Sequence, residues 1–147
     1  MTVTDEAAAP GAAALYQQVQ QFYARQMQLL DDGRVAEWAL TFTEDGVFAA
    51  NAHPEPAAGR AAITAAAAKA TEEYAAKGVQ RRHWLGMVSV EPGTRNRVNA
   101  RCYALVIETP RGGQAAIRVS TLCEDRLVHD GADWLVEHRQ VTRDDLV

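Results

Sequence analysis

The order of hydrophobic and polar positions along the chain predicts three helices before any long strand. Apolar residues recur every three to five positions over Leu15–Leu30, the spacing of an amphipathic helix that ends near Asp32. A second, short helix is expected over Val35–Phe42. A third is expected over Ala61–Lys77, where Gly78 stops it. Residues 1 to about 13 carry no such pattern and are expected to form a flexible lead-in to a single domain over 14–147.

From Val79 onward the pattern changes to strands. The four predicted strands cover about residues 80–91, 97–109, 114–128 and 134–143, and glycine- or proline-containing turns separate them. An earlier brief strand is expected over Val47–Asn51, followed by a proline-containing loop to Pro56. Three N-terminal helices followed by a meander predict the α+β class, with a strongly bent antiparallel sheet closing into a cone-shaped barrel against the helices.

Composition and charge exclude several classes of function. The chain has 147 residues, 48% of them hydrophobic, and a formal net charge of −4, which suits one globular domain without a basic face for nucleic acid. The first residues lack the pattern of a signal peptide, and no later run has membrane-spanning length, so a cytoplasmic protein is expected. Cys102 and Cys123 are then expected to be reduced and buried. The four histidines are far apart in sequence, so no metal site is expected.

The candidate chemistry centres on His83, a histidine at the start of an otherwise apolar strand. Histidine titrates near neutral pH, so beside a carboxylate in an apolar cavity it can move protons. Asp31 is the candidate partner, because Tyr23, Met27 and Asp31 follow at i, i+4 and i+8 on one helix flank. The alternatives stay open: His83 as a core or interface histidine, and Asp31 as a helix-end residue.

Several segments together carry a family resemblance. They are Leu30 to Gly33, Trp38, Phe42 to Phe48, Gly59 to Ile63, Arg82-His83, Glu124 to Arg126, and Asp130 to Trp134. With these segments the chain resembles the SnoaL-like branch of the nuclear transport factor 2-like superfamily, from about Leu15 to Asp144. The resemblance implies a cone-shaped, cystatin-like α+β fold. This scaffold hosts dehydratases, isomerases, epoxide hydrolases, polyketide cyclases and non-catalytic subunits.

Within that superfamily the pattern is similar to scytalone dehydratase, in which an Asp that ends the first helix pairs with a His after the third. Asp31 and His83 are the matching positions. The resemblance implies a general acid/base that needs no cofactor, acting on an aromatic polyketide-type substrate. The chain departs from the pattern where the family has a tyrosine pair, since Leu30 precedes Asp31 and the first strand ends in Ala50 and Asn51. Arginine outnumbers lysine, as in high-GC bacteria, where SnoaL-like proteins often belong to aromatic polyketide pathways.

An apolar pocket with a few polar anchors is expected around His83. Its predicted lining residues are Tyr23, Trp38, Phe48, Asn51, Leu85, Met87, Tyr103, Arg118, Thr121 and Cys123, with core packing as the alternative for each. Strand alternation places Leu85 and Met87 on the same face as His83. Trp84 then faces outward, which predicts a homodimer interface.

Three classes of function remain open. The first is a cofactor-free dehydratase or cyclase that uses His83 and Asp31. The second is an epoxide hydrolase or isomerase, for which a buried carboxylate such as Asp125, paired with Arg101 or Arg118, is required. The third is a non-catalytic ligand-binding or structural subunit, in which the cone is filled and His83 has no effect on turnover.

Overall fold

Three helices and six strands make up the described part of the chain. The computed structural model describes residues 11–147. The helices are α1 (Ala12–Asp31), α2 (Val35–Ala39) and α3 (Arg60–Ala76). The strands are β1 (Phe42–Ala50), β2 (Ala57–Ala58), β3 (Val79–Pro92), β4 (Arg97–Pro110), β5 (Ala116–His129) and β6 (Trp134–Arg143), and a short 3-10 helix follows over Asp144–Leu146.

The start of α1 tests only part of the predicted N-terminal boundary. Residues 1–10 of the predicted flexible segment lie outside the described residues. The helix begins at Ala12, so the predicted boundary at residue 13 falls within its first turn. None of the helices found in residues 11–147 combines the length and the apolar character that crossing a membrane requires.

The six strands form one sheet in the order β2-β1-β6-β5-β4-β3. The long strands β3 to β6 pair antiparallel with their neighbours along the chain, as the turn residues predicted. However, β1 pairs parallel with β6, so the prediction of a purely antiparallel sheet is wrong at this one pair. A parallel pair needs a long crossover, and here α3 and four strands (β2 to β5) lie between β1 and β6 along the chain. The parallel β1–β6 pair makes the sheet mixed. Because β2 and β3 are edge strands, the sheet does not close into a barrel. The α+β class is confirmed.

The second helix is shorter than the sequence predicted. It ends at Ala39, and Phe42 begins β1 instead of ending the helix. The segment Thr43–Gly46, between the predicted helix and the predicted strand, is the irregular part of β1, where the register against β6 shifts between Phe42 and Val47. The segment has the polar composition of a turn because the register shift exposes Glu44 and Asp45.

The core lies between α1 and the inner face of the sheet. The apolar flank of α1 contributes Leu15, Val19, Phe22, Tyr23 and Met27, and alternating strand positions contribute Val98, Ala100, Cys102, Val106, Cys123, Leu127 and Val136. The Val, Leu, Phe and Met side chains among them each contribute on the order of 1.5–3 kcal/mol when fully buried, and the smaller side chains contribute less. The residues between them on the strands point away from the helices, and this defines an outer face of the sheet.

The alternation in β3 is interrupted between Gly86 and Ser89, where the register against β4 shifts. Met87 occupies the interruption with φ of 52° and a 78% exposed side chain. The prediction that Met87 shares the face of His83 is therefore wrong, because the bulge turns this side chain outward. Trp84 precedes the bulge and is 66% exposed on the outer face, as the alternation predicted.

Candidate active site

The end of α1 and the start of β3 bring Asp31 and His83 together. Asp31 is the last residue of α1. Its Oδ1 lies 2.6 Å from Nδ1 of His83, and its Oδ2 accepts a hydrogen bond of 3.0 Å from the backbone N–H of the same residue. The Nε2 amide group of Gln80 contacts the carbonyl oxygen of Asp31 at 3.3 Å, which adds a tie between helix end and strand. One carboxylate thus fixes both the backbone and the ring of His83.

This geometry determines which ring nitrogen of His83 is available. The Asp31 side chain is 6% exposed and the His83 side chain 18% exposed, so the contact is largely shielded from water. A carboxylate only accepts hydrogen bonds, so in the neutral imidazole Nδ1 carries the proton and Nε2 keeps its lone pair. The pair therefore presents Nε2 as a base and stabilises the ring once Nε2 has taken a proton.

A second polar cluster lies deeper between the helices and the sheet. Arg139 binds both oxygens of Asp125, with Nε–Oδ1 of 2.9 Å and Nη2–Oδ2 of 2.8 Å. Tyr23 donates its hydroxyl to Asp125 Oδ2 at 2.7 Å, and Gln26 accepts from Arg139 Nη2 at 2.8 Å. All four residues are buried. The sequence suggested neither Gln26 nor Arg139; the only available sign was that Arg139 lies two positions before Val141 on β6, so the two share one face of the strand.

The carboxylate of Asp125 affects the protonation of its neighbours Tyr23 and Arg139. Burial, followed by the negative charge of Asp125, raises the pKa of the Tyr23 hydroxyl well above its usual range, so the phenol stays protonated. Burial alone would lower the pKa of Arg139, but the adjacent carboxylate outweighs this effect and raises it. Asp125 therefore pairs with Arg139, and the expected pairing with Arg101 or Arg118 is wrong. Both of its oxygens are already bonded, so it is not presented as a base for an epoxide hydrolase.

Three of the predicted lining residues belong to the apolar core. Trp38 is 3% exposed, and its ring packs edge-on against Phe42 with 5.0 Å between the ring centroids. Phe48 and Leu85 are partly buried and pack against the same core. Leu85 shares the inner face of β3 with His83, whereas Trp38 lies on α2 and Phe48 on β1.

The late-strand positions Thr121 and Cys123 also face inward. Thr121 is 5% exposed and donates its hydroxyl to the carbonyl oxygen of Ala104 at 2.9 Å. Cys123 pairs in register with Cys102, and both are free, buried thiols as predicted. The hydrogen bond with Cys102, together with burial, raises the pKa of Cys123, which keeps its thiol protonated. Within residues 11–147 there is no group of three or more His, Cys, Asp or Glu side chains suited to a metal ion.

The remaining predicted anchors do not line a pocket at His83. Tyr103 is 53% exposed, because on β4 it is Cys102 and not Tyr103 that takes the inner position. Asn51 uses its side chain to bind the backbone of Arg143, accepting from its N–H at 2.8 Å and donating to its carbonyl at 3.1 Å. Arg118 is 65% exposed and lies at the rim, with Nε 3.8 Å from Glu108 Oε1.

Two clefts lie on the outer face of the sheet, away from the Asp31–His83 pair. A cleft of about 450 Å³ is lined by Asp45, Val47, Arg97, Arg126, Glu137 and His138. A neighbouring cleft of about 390 Å³ is lined mainly by polar side chains of β3 to β6, among them Glu91, Arg101 and Glu124. Both are open and charged, so neither is the apolar cavity that was expected around His83.

The chain is similar to one protein family and to several solved structures. The model of a SnoaL-like domain family matches residues 12–140. A solved structure from Catenulispora acidiphila is 40% identical, with 90% of this chain and 94% of that chain covered and a TM-score of 0.81. ActVI-ORFA from Streptomyces coelicolor is 34% identical, with coverages of 90% and 96% and a TM-score of 0.82.

Two further comparisons bear on ligand and fold. A Catenulispora acidiphila structure in complex with S-DNPA is 38% identical, covers 90% of this chain and 96% of its own, and has a TM-score of 0.78. An NTF2-like protein with a cystatin-like fold from Novosphingobium aromaticivorans is 24% identical, with coverages of 88% and 82% and a TM-score of 0.76, which shows the shared fold. Among curated proteins no relative was found.

Proposed function

The chain belongs to the SnoaL-like domain family, and from this membership and its Asp31–His83 pair we propose that it is a cofactor-independent dehydratase or cyclase. Its substrate is an aromatic polyketide-type intermediate of bacterial secondary metabolism. His83 is the general acid/base, and Asp31 orients it.

One observation carries the proposal. Asp31 accepts from both Nδ1 and the backbone N–H of His83, at 2.6 and 3.0 Å. The contact at Nδ1 fixes the tautomer and constrains the ring, and the contact at the backbone N–H fixes the position of β3 that carries the ring. Tyr23, Thr121 and Asn51 bind other groups of the protein, so Nε2 of His83 is the base that the inner face offers.

The mechanism follows from the position of Nε2. Nε2 removes a proton from a carbon next to a carbonyl group, and the electron pair of the broken C–H bond forms the enolate. The imidazolium, stabilised by Asp31, then returns the proton. If it goes to a leaving hydroxyl, the enolate electrons form a C=C bond and water departs. If the enolate first attacks a second carbonyl, the proton goes to the new alkoxide and a ring closes.

The chemistry demands little else from the protein. A positioned acid–base group contributes on the order of 10²–10⁴ in rate, which suffices for β-hydroxy ketones and poly-β-ketones because their C–H bonds are already acidic. A relative of this chain is in complex with the small molecule S-DNPA, which supports small-molecule binding on this fold.

Turnover by variants tests the proposal. We expect His83→Ala to lower kcat on an aromatic β-hydroxy ketone by about 10²–10⁴-fold. Asp31→Asn should cost less, because Nε2 remains while its orientation is lost. His53→Ala, in an exposed loop histidine, is the matched control and should leave kcat unchanged. Mass spectrometry of the product distinguishes loss of water from ring closure at constant mass.

The same experiment can overturn the proposal. Turnover that is the same in wild type, His83→Ala and His53→Ala would remove the acid/base role. If neither a β-hydroxy ketone nor a poly-β-ketone is turned over, and His83→Ala does not alter ligand binding, the non-catalytic subunit would be favoured instead.

The oligomeric state is part of the proposal. We propose a homodimer in which the outer faces of two sheets meet. This face exposes the apolar side chains Trp84, Met87, Tyr103 and Ile117 to between 53% and 78%. Next to them Arg101 and Glu124 lie directly opposite each other on β4 and β5, so two copies related by a two-fold axis can match opposite charges around an apolar centre.

A further inference from the structure

Arg81 lies beside the candidate base on the inner face of β3. Arg81 and His83 are both partly buried, while Arg82 between them is exposed. Two residues along a strand correspond to about 7 Å between Cα atoms on the same face. A two- or three-ring molecule with a carbon at Nε2 of His83 can therefore reach the Arg81 guanidinium with a substituent.

The guanidinium of Arg81 is held in place but incompletely bonded. Its side chain is 24% exposed, and its plane is stacked over the Tyr74 ring of α3, with 4.2 Å from Cζ to the ring centroid. Its Nε lies 3.5 Å from Glu108 Oε2, yet it is buried without a hydrogen-bond partner among residues 11–147. Glu108 therefore meets Arg81 only through a long contact, and a ligand acceptor can reach the exposed part of the side chain rather than the buried Nε.

The start of β3, the end of β4 and the start of β5 form a rim around Arg81, and the side chains described below carry more positive than negative charge. Glu108 lies directly opposite Arg81 on β4 and is 17% exposed. A register shift in β5 directs Arg118 toward the same carboxylate, with Nε 3.8 Å from Glu108 Oε1. Lys77 adds an ammonium group 5.6 Å from the Tyr74 ring centroid. Glu108 thus contacts two arginines, and its single charge cannot neutralise both.

We propose that Arg81, assisted by Arg118 at the rim, binds a carboxylate of the substrate. The site then selects aromatic polyketide-type acids over their neutral analogues. Arg81 suits this role because its planar fork can bind both oxygens of a carboxylate while its face remains stacked on Tyr74. The inference rests on the proposed function for the location of the reacting carbon, but it concerns recognition and is tested by binding.

A matched pair of probes tests this recognition. Calorimetry with 2-naphthylacetate and 2-naphthylacetamide compares an anionic and a neutral ligand of the same shape. We expect the wild type to bind the acid about tenfold or more tightly than the amide, because a charge-assisted hydrogen bond is stronger than a neutral one. Arg81→Gln should bring the two affinities to within about twofold, and Arg118→Gln should reduce the preference in part.

Two further variants make the result specific. Arg82→Gln, the exposed neighbour on the outer face, should keep the full preference for the acid. Glu108→Gln removes the competing carboxylate, so it should raise the affinity for the acid several-fold and leave the amide unchanged. Because this change strengthens binding, it decides the question even if Arg81→Gln fails to fold.

Three outcomes would overturn the proposal: equal binding of acid and amide by the wild type, a preference that survives Arg81→Gln, or no binding of either probe. None of these alters the result expected for His83→Ala in turnover, so a failure of carboxylate recognition can be distinguished from a failure of the acid/base role.

Discussion

At the scale of single residues, Asp31 does more than end a helix. The next residue, Asp32, occupies the C-terminal cap of α1 and is exposed, as expected for a helix-end aspartate. Asp31 instead directs both carboxylate oxygens to His83 across 52 positions of sequence. The helix end therefore helps to orient the ring, and a shift of α1 against β3 would break the contacts that hold it.

The buried Asp125–Arg139 pair predicts a large effect on stability. The two side chains are 0% and 4% exposed, and removal of one partner leaves a buried charge without compensation. We expect Arg139→Met to lower the free energy of unfolding by about 3–5 kcal/mol in urea titrations, and Asp125→Leu to do the same. The double variant should cost less than the sum of the two, because it removes both charges.

The exposed Arg143–Asp145 pair is the control for this prediction. It has a similar contact, Nη2–Oδ2 of 2.7 Å, with side chains that are 34% and 60% exposed. Arg143→Met should lower the free energy of unfolding far less than Arg139→Met does. A loss below 1 kcal/mol for Arg139→Met, or singles that add exactly in the double variant, would contradict the role given to the buried pair.

At the scale of secondary-structure elements, Glu137 joins three strands on the outer face. From β6 it binds Arg97 of β4, with Nη2–Oε1 of 2.8 Å, and Arg126 of β5, with Nε–Oε2 of 3.1 Å. The hydrogen bond from Arg97, with a smaller contribution from Arg126, lowers the pKa of Glu137 from its usual value of 4.5. The ionised form is thus the one that stabilises the fold.

The sign of this pKa shift predicts how stability depends on pH. The stabilisation is fully present above about pH 4.5 and is lost as the pH falls through the lower pKa of the folded state. We expect Glu137→Gln to lower the free energy of unfolding by up to about 1 kcal/mol at pH 7, since both arginines are largely exposed. The difference from wild type should vanish in acid. Glu55→Gln, in an exposed loop, should show no such dependence, and a difference that grows in acid would contradict the assignment.

The sequence predicted the long elements because each contains its own evidence. The period of α1 and the turns that flank β3 to β6 are local, so observed and predicted bounds agree within about three residues. The pairing of β1 with β6 could not be predicted, because it joins residues more than 90 positions apart through tertiary packing. The outward turn of Met87 was missed because a bulge leaves the alternating pattern of the sequence unchanged.

For the candidate site, the sequence supplied the pair but not its surroundings. Family resemblance pointed to Asp31 and His83. Tyr103 was assigned to the wrong face, although the apolar positions of β4 from Val98 to Val106 alternate with it. Arg139 was overlooked because a charged residue on a strand usually faces solvent. Only the fold reveals that Asp125 lies directly opposite Arg139 and compensates its charge.

At the scale of the whole molecule, the two faces of the sheet have different surroundings. The inner face carries the core and the Asp31–His83 pair. The outer face leaves Trp84 66% exposed beside Tyr103 and Ile117. We expect sedimentation of the wild type to give twice the mass of one chain, and Trp84→Glu to give a single chain, because a charge in the centre of an apolar interface opposes association.

An exposed aromatic residue elsewhere controls for a general effect of the substitution. Tyr16 is 41% exposed and lies on α1, which packs against the inner face of the sheet and not the outer one. Tyr16→Glu should therefore leave the dimer intact. A wild-type protein that sediments as one chain, or a dimer that Trp84→Glu does not weaken, would show that this face is not the interface.

The central claim, that Asp31 presents Nε2 of His83 to the substrate, is tested most directly by ¹⁵N NMR of the His83 ring. The wild type should show a protonated Nδ1 and a free Nε2, and an aromatic β-hydroxy ketone should shift the Nε2 signal. Asp31→Asn should abolish the tautomer preference and reduce the ligand-induced shift. A proton on Nε2 in the wild type, or a ring that responds neither to the ligand nor to Asp31→Asn, would contradict the account.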